Sequence, residues 1–219
     1  FVVSKLRQAG AVILAKTNLT EFARHGVTVG SLMGQTLNPY DLTRTPGGSS
    51  GGTGAALAAN MAAVGMGTDT VNSVRSPSSA NSLVGLRPTT GLLSRNGIVP
   101  CSSTQDMAGP LARTVTDIAI LLDICAGYDS QDEKSAEQIG RCPDTYLTYL
   151  NKDGLRGRKI GLISNNLGND TQVLAAVDRA ISVLREQGAE IITLDVPEFE
   201  TGRVIKECDV QLYETKPLL

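Results

Sequence analysis

Residues 47–77, Gly-Gly-Ser-Ser-Gly-Gly-Thr-Gly-Ala-Ala-Leu-Ala-Ala-Asn-Met-Ala-Ala-Val-Gly-Met-Gly-Thr-Asp-Thr-Val-Asn-Ser-Val-Arg-Ser-Pro, constrain the chain more than any other stretch. Glycine pairs bracket Ser49 and Ser50, so the backbone there can turn tightly and approach another segment as a loop with side chains could not. Thr53 to Val64 is rich in alanine and free of proline, which predicts a closely packed, buried helix capped by Thr53 and ended by Gly65 and Gly67. A polar turn from Thr68 to Ser73 follows. Ser49 and Ser73 thus stand at the two ends of a loop-helix-loop excursion whose ends can meet.

The flanking sequence reads as α/β material. Residues 1–9 carry apolar positions Phe1, Val2, Val3 and Leu6 and predict the end of an amphipathic helix. Ala11 to Leu14 is a short apolar run, predicted as a buried strand. Lys16 to Ala23 is predicted as a helix, with Thr17 or Asn18 as N-cap and Glu21 as capping-box partner. Asn38-Pro-Tyr-Asp41 and Thr45-Pro46 are turn signals leading into the serine loop. Val84 to Arg95 and Gly97 to Pro100 read as a strand and turn in an irregular region. Apolar residues at helical spacing after Thr114 predict a helix over Val115–Ala126. Tyr128 to Pro143 reads as an exposed loop. Lys159 to Ser164 is predicted as a buried strand, Asp170 to Gln187 as a helix with Gly188 past its end, and Ala189 to Leu194 as a second strand. That unit implies a parallel pair with a right-handed crossover.

Several kinds of chemistry are disfavoured. With 41% hydrophobic and 19% charged residues in 219, the chain is ordinary globular material, and no apolar run approaches the ~18 residues of a membrane span. A net charge of −2 and no Trp give neither the basic surface nor the stacking platform that nucleic acids need. Cys101, Cys125, Cys142 and Cys208 are widely spaced, which fits free thiols and a cytoplasmic setting. With His25 the single histidine, no metal motif can be assembled, and no cofactor is expected.

Taken alone, Gly47 to Gly54 reads equally well as a flexible linker. A phosphate-binding loop is ruled out by the missing Gly-Lys-Ser/Thr ending. A Ser-His-Asp triad would have to recruit His25, around which no nucleophile-elbow signature occurs. A serine is a poor nucleophile until a base removes its proton, and a desolvated lysine is the natural alternative to histidine.

The pattern resembles the amidase signature family, serine hydrolases that cleave carbon-nitrogen amide bonds. The resemblance rests on Pro46-Gly-Gly-Ser-Ser-Gly-Gly, Gly67-Thr-Asp-Thr, Ser73-Val-Arg-Ser-Pro and Gly85-Leu-Arg-Pro-Thr. It extends through Gly10-Ala-Val-Ile-Leu-Ala-Lys-Thr-Asn-Leu-Thr-Glu-Phe-Ala, Gln35-Thr-Leu-Asn-Pro-Tyr-Asp and Asp106-Met-Ala-Gly-Pro-Leu-Ala-Arg-Thr. It implies an α/β/α sandwich around a mixed β-sheet, incomplete over this stretch: a signature core at 1–130, an exposed connection at 131–157, and the start of a second half at 158–219.

The resemblance also implies roles. Ser73 would be the nucleophile that forms an acyl-enzyme, and Ser49 the bridging serine, held by a cis peptide, that passes the proton to a lysine. Ser50, Asp69 and Arg75 would be supporting, with Asp69 and Arg75 paired across the turn. The family's catalytic lysine lies upstream of the Lys16 motif, so the resemblance places the base before Phe1 and makes the chain an internal fragment; Lys16 is read as a surface or helix-entry residue, with a surrogate base as the alternative. Backbone amides of Thr70, Val71, Asn72 and Ser73 would form the oxyanion hole, although Val71 and Asn72 replace the family's two glycines. A small-molecule amide is the implied substrate. Two other readings stay open: a glutamine amidase serving as one component of a tRNA-dependent amidotransferase, its A subunit, and an inactive scaffold that keeps the fold.

Overall fold

The computed structural model describes residues 1–218, which separate into two compact units: Phe1–Leu147 together with the segment from Val210 onward, and Thr148–Asp209.

In the first unit, helix α1 (Val2–Gln8) buries Val2 and Leu6, as the apolar spacing at the start of the chain requires. The next two sequence expectations fail. Ala11 to Leu14 forms no strand and its side chains are exposed, because among the described residues no neighbouring strand pairs with it. The helix expected over Lys16–Ala23 shrinks to a 3-10 turn at Glu21–Ala23 with Thr20 as N-cap. Its backbone groups go elsewhere: the Gly52 amide donates to the Asn18 carbonyl at 3.2 Å, and the Thr20 amide donates to the Ser49 carbonyl at 3.0 Å. Hydrogen bonds to the serine loop thus replace those of a helix. Two short strands follow, β1 (Val29–Gly30) and β2 (Gly34–Gln35), paired antiparallel.

Helix α2 (Gly51–Ala58) starts and stops earlier than the sequence suggests. Ser50, not Thr53, is its N-cap, and Asn60, not Gly65, ends it. Asn60 takes a left-handed conformation (φ 60°), the Asn60 amide donates to the Leu57 carbonyl at 3.1 Å and the Met61 amide to the Ala56 carbonyl at 2.9 Å, which is a Schellman motif with asparagine in the glycine position. Gly65 and Gly67 instead lie in strand β3 (Val64–Asp69). A Cβ on Gly65 would come within 2.5 Å of Thr53 Cγ2, and one on Gly67 within 2.6 Å of Ser50 Oγ. These two glycines let α2 and the serine loop lie directly on the sheet.

Helix α3 (Arg75–Ala80), strand β4 (Val84–Gly85) and strand β5 (Met107–Ala112) complete the platform, an antiparallel sheet in the order β3-β5-β4. In the register Asp69 faces Met107 and Val64 faces Ala112. All six residues of β5 are buried, so the strand shows no polar-apolar alternation. Helix α4 (Val115–Cys125) starts where expected, with the Thr114 hydroxyl accepting from the Asp117 amide at 3.1 Å. One apolar cluster joins Val2, Leu6, Leu93, Ala108, Leu121, Leu122 and Cys125; a second, of Leu57, Val74 and Leu111, sits under the serine loop.

The stretch 128–143 is exposed at most positions, as expected, but it is not a plain loop. A 3-10 helix, Glu133–Gln138, runs through this stretch, and Asp129, Asp132, Ser135 and Gln138 are buried. Asp132 meets Arg95 at 2.7 Å, and Gln138 Nε2 donates to the carbonyls of Gly91 and Gly127 at 2.7 and 2.9 Å. These polar residues are buried because each finds a partner.

In the second unit, β6 (Lys159–Ile163), α5 (Thr171–Glu186) and β7 (Glu190–Leu194) form the expected strand-helix-strand unit, with β6 and β7 parallel and Lys159 opposite Glu190. Asp170 caps α5 by accepting from the amides of Gln172 and Val173 at 2.9 and 3.0 Å. The strand β6 is not buried as its composition suggested: its residues are half-buried or exposed. Helix α6 (Thr201–Cys208) closes this unit, and helix α7 (Gln211–Leu218) belongs to the first.

Candidate active site

The serine loop is held through its own backbone groups, several of them bound by side chains from other segments. Thr28, fully buried at φ 53°, donates its hydroxyl to the Gly47 carbonyl at 2.7 Å and accepts from the Gly51 amide at 3.0 Å. Its own amide donates to Thr20 Oγ1 at 3.0 Å, and Asn81 Nδ2 donates to the Pro46 carbonyl at 2.8 Å. Gly48 packs so closely that a Cβ there would lie 2.7 Å from the backbone of Gly26. The Gly48–Ser49 peptide is cis, and Ser49 and Ser50 are buried.

The two adjacent serines do different things. Ser50 Oγ accepts from the Thr68 amide at 3.1 Å and faces the Thr68 carbonyl at 3.2 Å, fastening the start of α2 to β3. Ser49 Oγ makes no hydrogen bond among the described residues. The Ser50 amide donates to the Ser73 carbonyl at 3.2 Å, which joins the first serine loop to the second.

Ser73 lies at the far end of a turn that leaves β3 at Asp69 and enters α3 at Arg75. Asp69, with no exposed surface, accepts from the Val74 amide at 3.0 Å and faces both Arg75 (3.2 Å) and Arg87 (3.4 Å). A second Arg75 contact reaches the Val71 carbonyl. Thr70 donates its hydroxyl to Asp106 at 2.6 Å. Neither Val71 nor Asn72 sits at positive φ, so the glycine conformation that would have strained a β-branched Val71 is not required here. Among the described residues the amides of Thr70, Val71, Asn72 and Ser73 donate to no group, leaving four consecutive donors on one turn.

The geometry therefore brings together Ser49, Ser50, Asp69, Thr70, Val71, Asn72, Ser73 and Arg75. No hydrogen bond joins the Ser49 and Ser73 hydroxyls to each other. Lys16 and His25 are exposed and donate to neither serine. Among the described residues no cluster of His, Cys, Asp and Glu could hold a metal ion. A cavity of about 350 Å³ borders Ser50, Thr53 and Thr68, one residue away from Ser49, although neither Ser49 nor Ser73 lines it.

Sequence reasoning overlooked Thr20, Thr28, Asn81, Arg87 and Asp106. For Arg87 and Asp106 a signal existed: each is a charge set beside apolar, glycine and proline residues, in Gly85-Leu-Arg-Pro and at the head of Asp106-Met-Ala-Gly-Pro-Leu-Ala, and such a charge is buried only when paired. Thr28 offered none, because a hydroxyl that bridges two distant glycines looks like any other loop threonine.

Comparison with known proteins identifies the family. The Amidase family profile matches residues 1–206. The A subunit of the glutamyl-tRNA(Gln) amidotransferase of Nocardia farcinica is 44% identical over 204 residues, 92% of this chain and 41% of that protein; its counterpart in Microcystis aeruginosa is 47% identical over 203 residues, with the same coverage of each chain. The solved peptide amidase of Stenotrophomonas maltophilia superposes with a TM-score of 0.91 at 41% identity, covering 99% of this chain and 45% of that one. The chain spans about two fifths of the length of the curated relatives it matches. It carries the α/β amidase fold, and it belongs to the amidase family.

Proposed function

We propose that the chain contributes the serine centre of an enzyme that hydrolyses carboxylic amides through an acyl-enzyme. Ser73 attacks the amide carbonyl, Ser49 takes the Ser73 proton and passes it onward, and the amides of Thr70 to Ser73 receive the negative oxygen of the tetrahedral intermediate. The proton returns to the leaving amine, and water then hydrolyses the ester on Ser73. A lysine base is the part of this relay that residues 1–218 do not supply at Ser49. The hydrogen bond from the Ser50 amide to the Ser73 carbonyl carries the reading, because it holds the two serine loops side by side. The four free amides supply the electrostatic half of the mechanism.

A second reading has its own support. The curated relatives at 44–47% identity are amidotransferase A subunits, whereas the peptide amidase stands at 41%. In that reading the same centre releases ammonia from glutamine for a partner protein. Fluorophosphonate labelling tests the serine chemistry: the protein is labelled, and Ser73→Ala is not. Absence of labelling in the full-length protein would instead favour an inactive scaffold. Ammonia release from free glutamine, measured beside release from C-terminally amidated peptides, separates the two substrates. Among the described residues no helix is long and apolar enough to cross a membrane.

A further inference from the structure

The turn that presents the four free amides is gripped at both ends by a carboxylate. Beyond Ser73, Asp69 accepts from the amides of Val74 and Arg75 at 3.0 and 3.4 Å. Before Val71, Asp106 takes the Thr70 hydroxyl on Oδ1 at 2.6 Å and the amides of Cys101 and Ser102 on Oδ2 at 2.7 and 2.8 Å. Asp106 is buried, and its three donors come from two separate segments, all at charge-assisted distances. The Cys101–Ser102 segment is itself anchored: the Asp106 amide donates to the Ser102 carbonyl at 3.2 Å, and Thr215 Oγ1 donates to the Cys101 carbonyl at 2.6 Å. Thr70 is therefore tied to a support outside both β3 and α3.

We propose that Asp106 is a positioning residue for amide hydrolysis: through the Thr70 hydroxyl it fixes the near end of the oxyanion turn, so that the amides of residues 70–73 converge on one point. The inference rests on the proposed acyl-transfer reading. Asp106 acts through Thr70 and makes no hydrogen bond to Ser49 or Ser73. Oxyanion donors act only within about 2.7–3.1 Å of the developing charge. A displacement of about 1 Å costs on the order of a hundredfold in rate. One hydroxyl contact at the root of the turn is enough to matter on that scale.

Four substitutions test it, read by the rate of fluorophosphonate labelling, by kcat and KM on an amide substrate, and by thermal melting. Thr70→Val removes the hydroxyl and keeps the shape; labelling and kcat are expected to fall about tenfold to a hundredfold with KM nearly unchanged. Thr70→Ser restores the hydroxyl and is expected to recover most of the rate. Asp106→Asn can donate its amide to Thr70 Oγ1 while its oxygen still accepts from Cys101 and Ser102, so it is expected to stay within several-fold of wild type, whereas Asp106→Ala is not. Wild-type rates in Thr70→Val, or equal loss in Thr70→Val and Thr70→Ser, would overturn the assignment. So would an Asp106→Asn protein that melts normally and is as slow as Asp106→Ala. Continued labelling of Ser73→Ala, or no labelling of the full-length protein without substitution, is a different failure: it overturns the acyl-transfer reading beneath the assignment.

Discussion

Asp69 Oδ1 lies 3.2 Å from Arg75 Nη2, yet the carboxylate has no exposed surface while half of the arginine side chain is open to solvent. The two partners therefore stand to lose different amounts. Removing the arginine leaves Asp69 with Arg87 and the Val74 amide; removing the carboxylate leaves Arg87 partly buried without its partner and the Val74 amide without an acceptor. Asp69→Ala is expected to cost roughly 3–5 kcal/mol, the range for breaking a buried pair. Arg75→Ala is expected to cost about 1 kcal/mol or less, since a half-exposed partner is screened by water. Urea denaturation of both variants checks the order; equal losses would contradict it.

Gly67 has no room for a methyl group. An added Cβ would sit 2.6 Å from Ser50 Oγ and 2.7 Å from Ser50 Cβ, so Gly67→Ala must push the serine loop off the sheet. The expected loss is about 1–3 kcal/mol, typical of overpacking. Because Ser50 also donates its amide to the Ser73 carbonyl, the same variant is expected to slow labelling of Ser73. Thermal melting and labelling rate, measured together, test both halves of the statement.

Asp132 and Arg95 give the protein an acid-sensitive joint. Hydrogen bonds from the Arg95 side chain, opposed by partial burial, hold the Asp132 carboxyl below its ordinary 3.8, and the same pairing raises the Arg95 guanidinium. A carboxyl depressed in the folded state adds stability above its unfolded value and loses it as pH falls through the folded one. The contribution is therefore whole at about pH 6 and drains away below about pH 4. In Asp132→Asn the urea midpoint is expected to be lower at about pH 6 and to fall less steeply between about pH 4 and about pH 3 than in wild type.

Glu214 anchors α7 in the same unit. Its carboxylate accepts from the hydroxyls of Ser102 and Thr104, and these hydroxyls, Ser102 first, hold the Glu214 carboxyl down to about 2. The sign is the same as for Asp132, and the window is lower: the anchor is complete above about pH 4.5 and released towards pH 2. Glu214→Gln is expected to raise amide hydrogen exchange in 211–218 at neutral pH while α4 stays protected. Unchanged exchange in that segment would show that Thr215 and Gln211 hold the helix unaided.

What could be read from the residues depended on whether local and tertiary demands agreed. Helices α1, α4 and α5 were visible because each has an apolar stripe or a capping residue that its final surroundings respect, as Thr114 and Asp170 do. The strand β5 was missed because burial on both faces removes alternation, and because Pro110 argues against a strand interior. The strand β3 was missed because Gly65 and Gly67, which punctuate helices when exposed, here make room for Thr53 and Ser50. At the candidate site the serine-bearing loops and the Asp69–Arg75 contact could be named from the sequence. The scaffold behind them could not: Thr28, Asn81 and Asp106 are joined to the loops by side-chain hydrogen bonds across 19 to 36 positions, and local pattern does not record contacts of that kind.

Ser49 and Ser50 are neighbours of the same residue type, yet the seam between Ser50 and Thr68 makes them chemically unequal. A hydroxyl that already gives its proton to one carbonyl and its lone pair to one amide is a poor target for an electrophile; its neighbour carries no such engagement. A serine-directed reagent should therefore distinguish the two by occupancy rather than by access. Loss of turnover on replacing Ser50 would report a loosened join between helix and sheet, not a missing participant in the proton relay.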